Sequence, residues 1–519
     1  MNKVKILWAD DEIDYLKISI HFLQEKGYEV ITANNGYDAV ELCQQHNLDI
    51  VFLDMNMPGI SGLETLSRIK SKYPNLPVVM ITKSEEEEIM DEAVGLKIDD
   101  YLIKPVKPNQ ILLSLKKNVH QRNLVTQKTT SDYQREFSQL SMLINDARSW
   151  NEWTEVYRKL VFWELQLHQS SDHTMDEVLY MQKNEANAAY SKFINRNYLN
   201  WFNDTEKDRP VTSQTLFRQK LFPMLETGKK VILILIDNLR YDQWKILEPL
   251  ISEHFTVQEE ALYSAILPTV TQYARNAMFS GLMPSEIEKL YPNLWQEEDD
   301  EGSKNQYEEE LLLRQMLRLG KKIRTGYFKV NTSKDGRRIS DLISHLSQND
   351  FSVVIHNFID ILSHARTEMD MLRELASDEA AYRSLTLTWY QHSPLNELMQ
   401  ELASRDTTVV ITTDHGSIRV ANPIKIVGDK TTNNNLRYKQ GKNLNYNPKE
   451  VFEISKPGKA FLPNANISSS YVFATNADFF VYPNNYNHFV KYYKNTFQHG
   501  GISLEEMMIP FVVLQPRHQ

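Results

Sequence analysis

Among the side chains between residues 237 and 499 whose types can hold divalent metals, seven stand out by position: Asp237, Thr271, Asp360, His364, Asp414, His415 and His499. Asp237 directly follows the aliphatic run Val231–Ile236. Asp360 and His364 follow the run Phe351–His356, and their i, i+4 spacing places both on one face of a helical turn. Asp414-His415-Gly416 follows Thr408–Thr412, and His499-Gly500-Gly501 precedes Ile502-Ser503-Leu504-Glu505-Glu506. Thr271 lies in Leu267-Pro268-Thr269-Val270-Thr271-Gln272-Tyr273-Ala274-Arg275, where a turn-forming proline leads into a helix start. Mixed imidazole and carboxylate ligands suit zinc better than calcium or magnesium. Two divalent ions would bring four positive charges, matched by three carboxylates and an ionised Thr271. Such a nearly neutral pair can activate an alkoxide while still accepting an anionic phosphate ester, the logic of two-metal phosphoryl transfer. Arg240 and Arg275 are candidate phosphate clamps, because guanidinium forks suit phosphate oxygens; Arg275 falls one turn after Thr271.

A second constellation lies near the N-terminus. Asp10 and Asp11 follow one aliphatic run, Asp54 another, Thr82 a third, and Lys104-Pro105 closes a fourth. Three carboxylates meeting at the carboxyl ends of strands repel one another, and a hard divalent ion relieves this. Asp54 then becomes a nucleophile for a phosphoryl donor, with Lys104 neutralising the acyl phosphate and Thr82 hydrogen-bonding its oxygens.

The elements that must position these groups fall into three segments. Residues 1–120 alternate strands (Lys5–Trp8, Glu29–Thr32, Ile50–Leu53, Val78–Ile81, Asp100–Leu102) with amphipathic helices, ending with Pro108–His120. Five βα units of this size predict a doubly wound five-stranded parallel sheet. Residues 121–215 carry aromatic and aliphatic residues at helical spacing, as in Trp150, Trp153, Tyr157 and Leu160, then Tyr190, Phe193, Ile194, Tyr198 and Trp201. This predicts an all-α connector whose aromatic stripe is core. Residues 216–519 form a large α/β domain with strands at Val231–Ile236, Phe351–His356, Thr408–Thr412 and Phe511–Leu514. Two stretches, Gln296–Asn305 and Asp429–Asn447, are expected to be solvated loops, and Glu85–Glu88 the exposed first turn of a helix.

Composition narrows the classes. A chain of 519 residues exceeds what one core supports. The formal net charge is −10 and no basic stripe stands out, which argues against wholesale nucleic-acid binding. The single cysteine, Cys43, excludes intrachain disulfides and cysteine-rich zinc motifs. The aliphatic run Val231–Ile236, the longest uninterrupted one, is far too short to span a membrane, and the N-terminus does not read as a signal peptide, so a cytoplasmic protein is expected.

The segments Trp8-Ala9-Asp10-Asp11, Leu53-Asp54-Met55-Asn56-Met57-Pro58-Gly59 and Asp100-Tyr101-Leu102-Ile103-Lys104-Pro105 resemble the receiver domains of two-component systems. The resemblance implies that Asp10 and Asp11, with Asp54, hold magnesium. It further implies that Asp54 is the phosphoacceptor, Thr82 and Tyr101 the switch pair, and Lys104 the phosphate-pairing lysine. Lys83 departs from the family, which usually carries a small residue there; a long cation beside the phosphate is expected to alter the lifetime of the acyl phosphate. The metal-type residues and their order along residues 216–519 resemble a PglZ domain of the alkaline phosphatase superfamily. That resemblance implies one zinc ion held by Asp237, Thr271, Asp414 and His415, a second by Asp360, His364 and His499, and attack on phosphorus by Thr271. The whole chain is similar to PorX-type response regulators. This implies a sensor histidine kinase as phosphodonor, a role in controlling type IX secretion, and a nucleotide or oligonucleotide phosphodiester as substrate. Phosphorylation is expected to promote a homodimer through receiver and connector. Two rivals stand beside the enzyme. One is a non-catalytic nucleotide- and protein-binding regulator that keeps the metal site and contacts a sigma factor or a secretion-system component. The other is a transcription factor, which needs a helix-turn-helix with a basic recognition helix; the connector's charges are mixed in sign.

Overall fold

The computed structural model describes residues 3–83, 98–170, 174–202, 209–296, 305–330, 339–376, 378–429, 432–464 and 469–517. The run Glu85–Glu88 and most of Gln296–Asn305 lie outside them. The chain divides into two compact units, one built on Met1–Gln134 and the other on Arg135–Gln169 and Thr174–Gln519.

In the first unit, β1 (Lys5–Ala9), β2 (Glu29–Ala33), β3 (Ile50–Asp54), β4 (Val78–Thr82) and β5 (Asp100–Ile103) pair in parallel in the order β2-β1-β3-β4-β5. Alternate residues feed two separate cores. Leu7, Val51, Leu53 and Met80 lie in one, and Ile6, Trp8, Phe52, Val79 and Ile81 in the other. Strands apolar on both faces are what a sheet covered by helices on each side requires. The expected helix Pro108–His120 is α-helical over Pro108–Leu115, widens to a π turn at Lys116–His120 and passes directly into helix Gln121–Asp146.

The second unit begins with connector helices Trp150–Gln169 and Asp176–Asn197. The aromatic stripe is core: Trp153 meets Tyr190 edge-on with centroids 5.3 Å apart, and Trp150 meets Trp201 at 5.8 Å. The large sheet contains β6 (Val231–Ile236), β7 (Phe255–Ser264), β8 (Thr325–Val330), β9 (Phe351–His356), β10 (Thr408–Thr412) and, late in the chain, Met508–Pro516. Between these last two come β11 (Ile418–Arg419), β12 (Asn422–Lys425), β13 (Tyr438–Lys442), β14 (Val451–Ile454), β15 (Ser469–Ala474), β16 (Asp478–Val481) and β17 (Phe497–Gln498), so Met508–Pro516 is β18. The sheet order is β7-β18-β10-β6-β9-β8. β8, β9, β6 and β10 run parallel, and β18 is antiparallel to both its neighbours. The carboxyl ends of β6, β9 and β10 therefore share one edge, where ligands bind in such sheets.

Three sequence expectations need correction. β7 and β8 are strands that the apolar pattern does not reveal, because β7 carries Gln258, Glu259 and Glu260 mid-strand and lies at the sheet edge. The last strand runs well beyond Phe511–Leu514 in both directions. The stretch Asp429–Asn447 is not simply a solvated loop: β13 lies within it and pairs antiparallel with β15. Two of its cations are buried against partners. Arg437 meets Glu506, and the Lys439 ammonium donates to the Asn433 carbonyl at 2.8 Å. Polar composition signals solvation only when the charges lack internal partners.

Charge is also buried where the connector meets the α/β domain. Glu164 accepts from Lys183 at 2.7 Å and from Arg383 at 2.9 Å, and Arg383 also reaches Asp242 at 2.9 Å. Burial pushes the Glu164 carboxyl upward, but Lys183 and Arg383 outweigh it and hold its pKa well below the usual range. A depressed folded-state pKa gives stability that is present above the unfolded value and lost as pH falls towards the folded one. Glu164→Gln should therefore cost about 3–5 kcal/mol at neutral pH by leaving two buried cations short of a partner. In thermal unfolding across a pH series, the gap between wild type and variant should narrow below about pH 4.

Candidate functional site

In the first unit, the ends of β1 and β3 bring the carboxylate oxygens of Asp10, Asp11 and Asp54 within 4.8 Å of one another. The Lys104 ammonium bridges Asp54 Oδ1 at 2.7 Å and Asp10 Oδ2 at 2.9 Å. Burial raises the Asp54 pKa, with the bond from Lys104 opposing the rise. One ammonium among three carboxylates leaves two negative charges, a donor set of hard oxygens that suits magnesium. Thr82 is buried at the end of β4, and Tyr101, beside Met80 in the register, is exposed. Lys83 Nζ lies 3.4 Å from Glu12 Oε2, both largely solvated.

In the second unit, the common edge of β6, β9 and β10 gathers the seven metal-type residues. Oxygen or nitrogen atoms of Asp237, Asp414 and His415 lie within 4.8 Å of one another, as do those of Asp360, His415 and His499. Thr271 opens helix Thr271–Ser280, its hydroxyl 3.2 Å from His415 Nε2 and 3.5 Å from Asp237 Oδ1. His364 Nε2 lies 3.5 Å from both Asp360 Oδ2 and His499 Nε2. The rings of His415 and His499 stack with centroids 4.3 Å apart. Each of these two histidines has Nδ1 beside a backbone carbonyl, Gly416 O at 3.2 Å and Thr269 O at 3.3 Å, which leaves Nε2 to face the site. Burial, together with neighbouring His415 and His364, pushes the His499 pKa well below the ordinary range, so the ring is neutral. Burial drives the Asp237 carboxyl upward against Arg275. Asp414 is held low because Arg275 and His415 outweigh its burial. Two adjoining groups of mixed imidazole and carboxylate donors, one with a hydroxyl, fit a pair of zinc ions.

The family profile for the BREX system PglZ alkaline phosphatase-like domain matches residues 216–514. The chain belongs to the PglZ family. Ahead of this domain, residues 6–116 match the response regulator receiver domain and residues 123–202 the PorX response regulator linker domain, the arrangement of a PorX-type regulator. Among curated proteins, the chain is 28% identical over 161 residues to the alkaline phosphatase synthesis transcriptional regulatory protein PhoP of Bacillus subtilis. That match spans 31% of this chain and 65% of the relative's length. Among solved structures, the chemotaxis protein CheY4 of Vibrio cholerae is 32% identical, covering 22% of this chain and 99% of that one with a TM-score of 0.22. The receiver domain of NtrX from Brucella abortus is 31% identical, covering 22% and 98%, with a TM-score of 0.21. Among the described residues no helix is long and apolar enough to cross a membrane.

Within the PglZ domain neither arginine has the expected access to substrate. Arg240 is 1% exposed and paired with Asp242 at 2.9 and 2.5 Å and Glu379 at 2.6 Å. Arg275 is fully buried; Nε donates to Asp414 Oδ2 at 2.9 Å, Nη2 pairs with Asp237, and Nη1 lies 3.3 Å from Glu308. It organises the carboxylates behind the site and presents no face to a phosphate.

Several supporting residues escape sequence reading. Asn238 takes a left-handed conformation (φ 63°), and its amide nitrogen lies 3.4 Å from Asp360 Oδ1 and 3.2 Å from Ser363 Oγ. An asparagine directly after a strand-end aspartate is the available signal, since asparagine tolerates this region. The Thr269 hydroxyl accepts from Gly500 N and donates to Gly501 O, both at 3.0 Å. Gly500 has φ +123°, and a Cβ there would fall 2.8 Å from Asn435 Oδ1; one on Gly416 would fall 2.1 Å from the Glu505 carbonyl. Both glycines let the histidine loops close on their supports. Arg275→Ala should destabilise the chain by about 3–5 kcal/mol, because three buried carboxylates lose their shared cation. In thermal unfolding the loss should be larger for chelator-treated protein than for zinc-loaded protein.

Proposed function

We propose that this response regulator is a zinc-dependent phosphodiesterase acting on nucleotide or oligonucleotide diesters, with Thr271 as nucleophile and Asp54 as the phosphorylated control residue. The observation that carries the reading is the Thr271 hydroxyl, set at a helix N-terminus between His415 and Asp237 and beside the Asp360, His364 and His499 group. A helix N-terminus favours developing negative charge and offers free backbone N–H groups to phosphate oxygens. Asp237, Thr271, Asp414 and His415 would hold one zinc ion and Asp360, His364 and His499 the other. When bound, the pair supplies positive charge that stabilises an alkoxide and a phosphate ester.

Thr271 Oγ attacks phosphorus, one P–O ester bond breaks, and the hydroxyl proton ends on the departing alcohol. Water then cleaves the phosphothreonine, restoring the hydroxyl and releasing a monoester. The diester preference rests on the resemblance to the phosphodiesterase branches of the alkaline phosphatase superfamily. A sensor histidine kinase as phosphodonor, magnesium in the receiver and a role in type IX secretion belong to the same proposal; they rest on the resemblance to PorX-type regulators, which the receiver and PorX linker matches support.

Zinc-loaded protein should turn over bis(p-nitrophenyl) phosphate faster than the monoester. Thr271→Ala should lower that rate by at least about three orders of magnitude while two zinc ions per chain persist in metal analysis. Turnover undiminished in Thr271→Ala removes the nucleophile. Zinc-loaded wild type without turnover leaves a nucleotide-binding regulator that signals by protein contact, for instance to a sigma factor. Exposed Tyr101, Ile103 and Leu113 on the receiver support a phosphorylation-promoted homodimer. Sedimentation should show a doubled mass with beryllofluoride and magnesium, and no change in Asp54→Asn.

A further inference from the structure

Helix Asp176–Asn197 turns one polar stripe towards the PglZ segment that follows the last histidine. Lys183, Asn187 and Ser191 recur every fourth residue and so share a face. The Asn187 side chain makes a two-point contact: Oδ1 accepts from Leu504 N at 2.8 Å, and Nδ2 donates to Glu505 Oε2 at 3.1 Å. Lys183 Nζ lies 3.5 Å from Glu505 Oε1 and 2.7 Å from Glu164. One turn on, Ser191 donates to Asn476 Oδ1 at 3.2 Å.

The segment so gripped is the reference for both histidine loops. Gly416 N, adjoining His415, donates to the Glu506 carbonyl at 3.2 Å, and Gly416 lies too close to the Glu505 carbonyl to carry a side chain. Gly501 N, two residues after His499, donates to Glu506 Oε1 at 2.9 Å. The Glu506 carboxylate is itself fixed by Ser503 at 2.7 Å and by Arg437 at 2.6 and 3.1 Å. His415 and His499, stacked on one another, thus hang from a short stretch whose outer side is held by a connector helix.

We infer that Asn187, assisted by Lys183, is a positioning residue for the His415–His499 pair, so that the connector is a working part of the metal centre. The inference rests on the zinc-site reading above. Outer partners of metal ligands set ligand orientation, and losing one commonly weakens metal binding by about 10–100-fold. Asn187 acts at one further remove, so the low end of that range applies.

The experiment uses the full chain, stripped of metal and titrated with cobalt(II) against a chelator, with the visible cobalt spectrum as a second readout. Asn187→Ala should weaken cobalt binding by about tenfold and change the band positions or intensities. The matched control is Gln182→Ala. Gln182 is 2% exposed against 3% for Asn187, and its side-chain amide donates to two connector groups, Phe137 O at 3.1 Å and Ser141 Oγ at 2.9 Å. Gln182→Ala should leave affinity and spectrum at wild-type values even where both variants melt at the same lowered temperature. Asn187→Ala indistinguishable from wild type in both readouts overturns the inference. Should Asn187→Ala fail to fold, Glu505→Gln, which keeps the shape, takes its place with the same expected direction, and an unchanged result again overturns the inference. Wild-type chain that takes up no cobalt brings down the metal reading itself, and the inference with it. Wild-type uptake with unaltered variants removes the positioning role alone.

Discussion

Two strand-end carboxylates, Asp237 and Asp414, sit buried on the same guanidinium, that of Arg275, with Glu308 on its far side. Charges out of water must be neutralised close by, and a planar fork with several donors can serve more than one carboxylate at once. The arrangement constrains everything around it. β6 and β10 must be neighbours in register so that their ends coincide, and helix Thr271–Ser280 must run past both to deliver Arg275. The same helix then places Thr271, one turn earlier, at its N-terminus beside His415. The hydroxyl and the carboxylates are located by a single element.

Around this charge cluster the histidines are held by backbone, which turns their free nitrogens inward. Gly416, Gly500 and Gly501 let His415 and His499 lie against carbonyls, and Thr269 and Glu506 close the second loop from either side. Buried hydrogen bonds of this kind are individually modest, but an unmade one in such a setting is costly, so the set acts together. His364 differs: it is the exposed member, on the helix after β9, where a substrate approaching from solvent would meet the site first.

The two units use one principle for opposite ends. Each collects acids at the carboxyl ends of parallel strands, and each supplies too few cations to neutralise them. In the receiver the candidate ligands are oxygens alone, and Asp54 is the residue proposed for modification. In the PglZ domain imidazoles join the carboxylates, and the Thr271 hydroxyl is the proposed reacting group. The difference in donor chemistry suits a hard ion in one and zinc in the other.

Strand-end acids were legible in the sequence because an aliphatic run followed at once by Asp or Thr carries its own structural address. β1, β3, β4, β6, β9 and β10 were read with bounds accurate to about one residue, and with them the positions of Asp10, Asp54, Thr82, Asp237 and Asp414. The connector's aromatic stripe was equally plain, since periodicity is a local property. What depended on long-range partners was not legible. Arg240 and Arg275 looked like phosphate clamps until their acids, some more than a hundred residues away, were seen to consume them. β7 and β13 are polar strands whose charges find buried partners, as Glu260 does in Trp244 and Lys439 in the Asn433 carbonyl, so their composition misleads. Residue order decides which groups stand at the ends of strands; only the packed chain decides which charges are already spoken for, because a partner across the fold leaves no trace in neighbouring sequence.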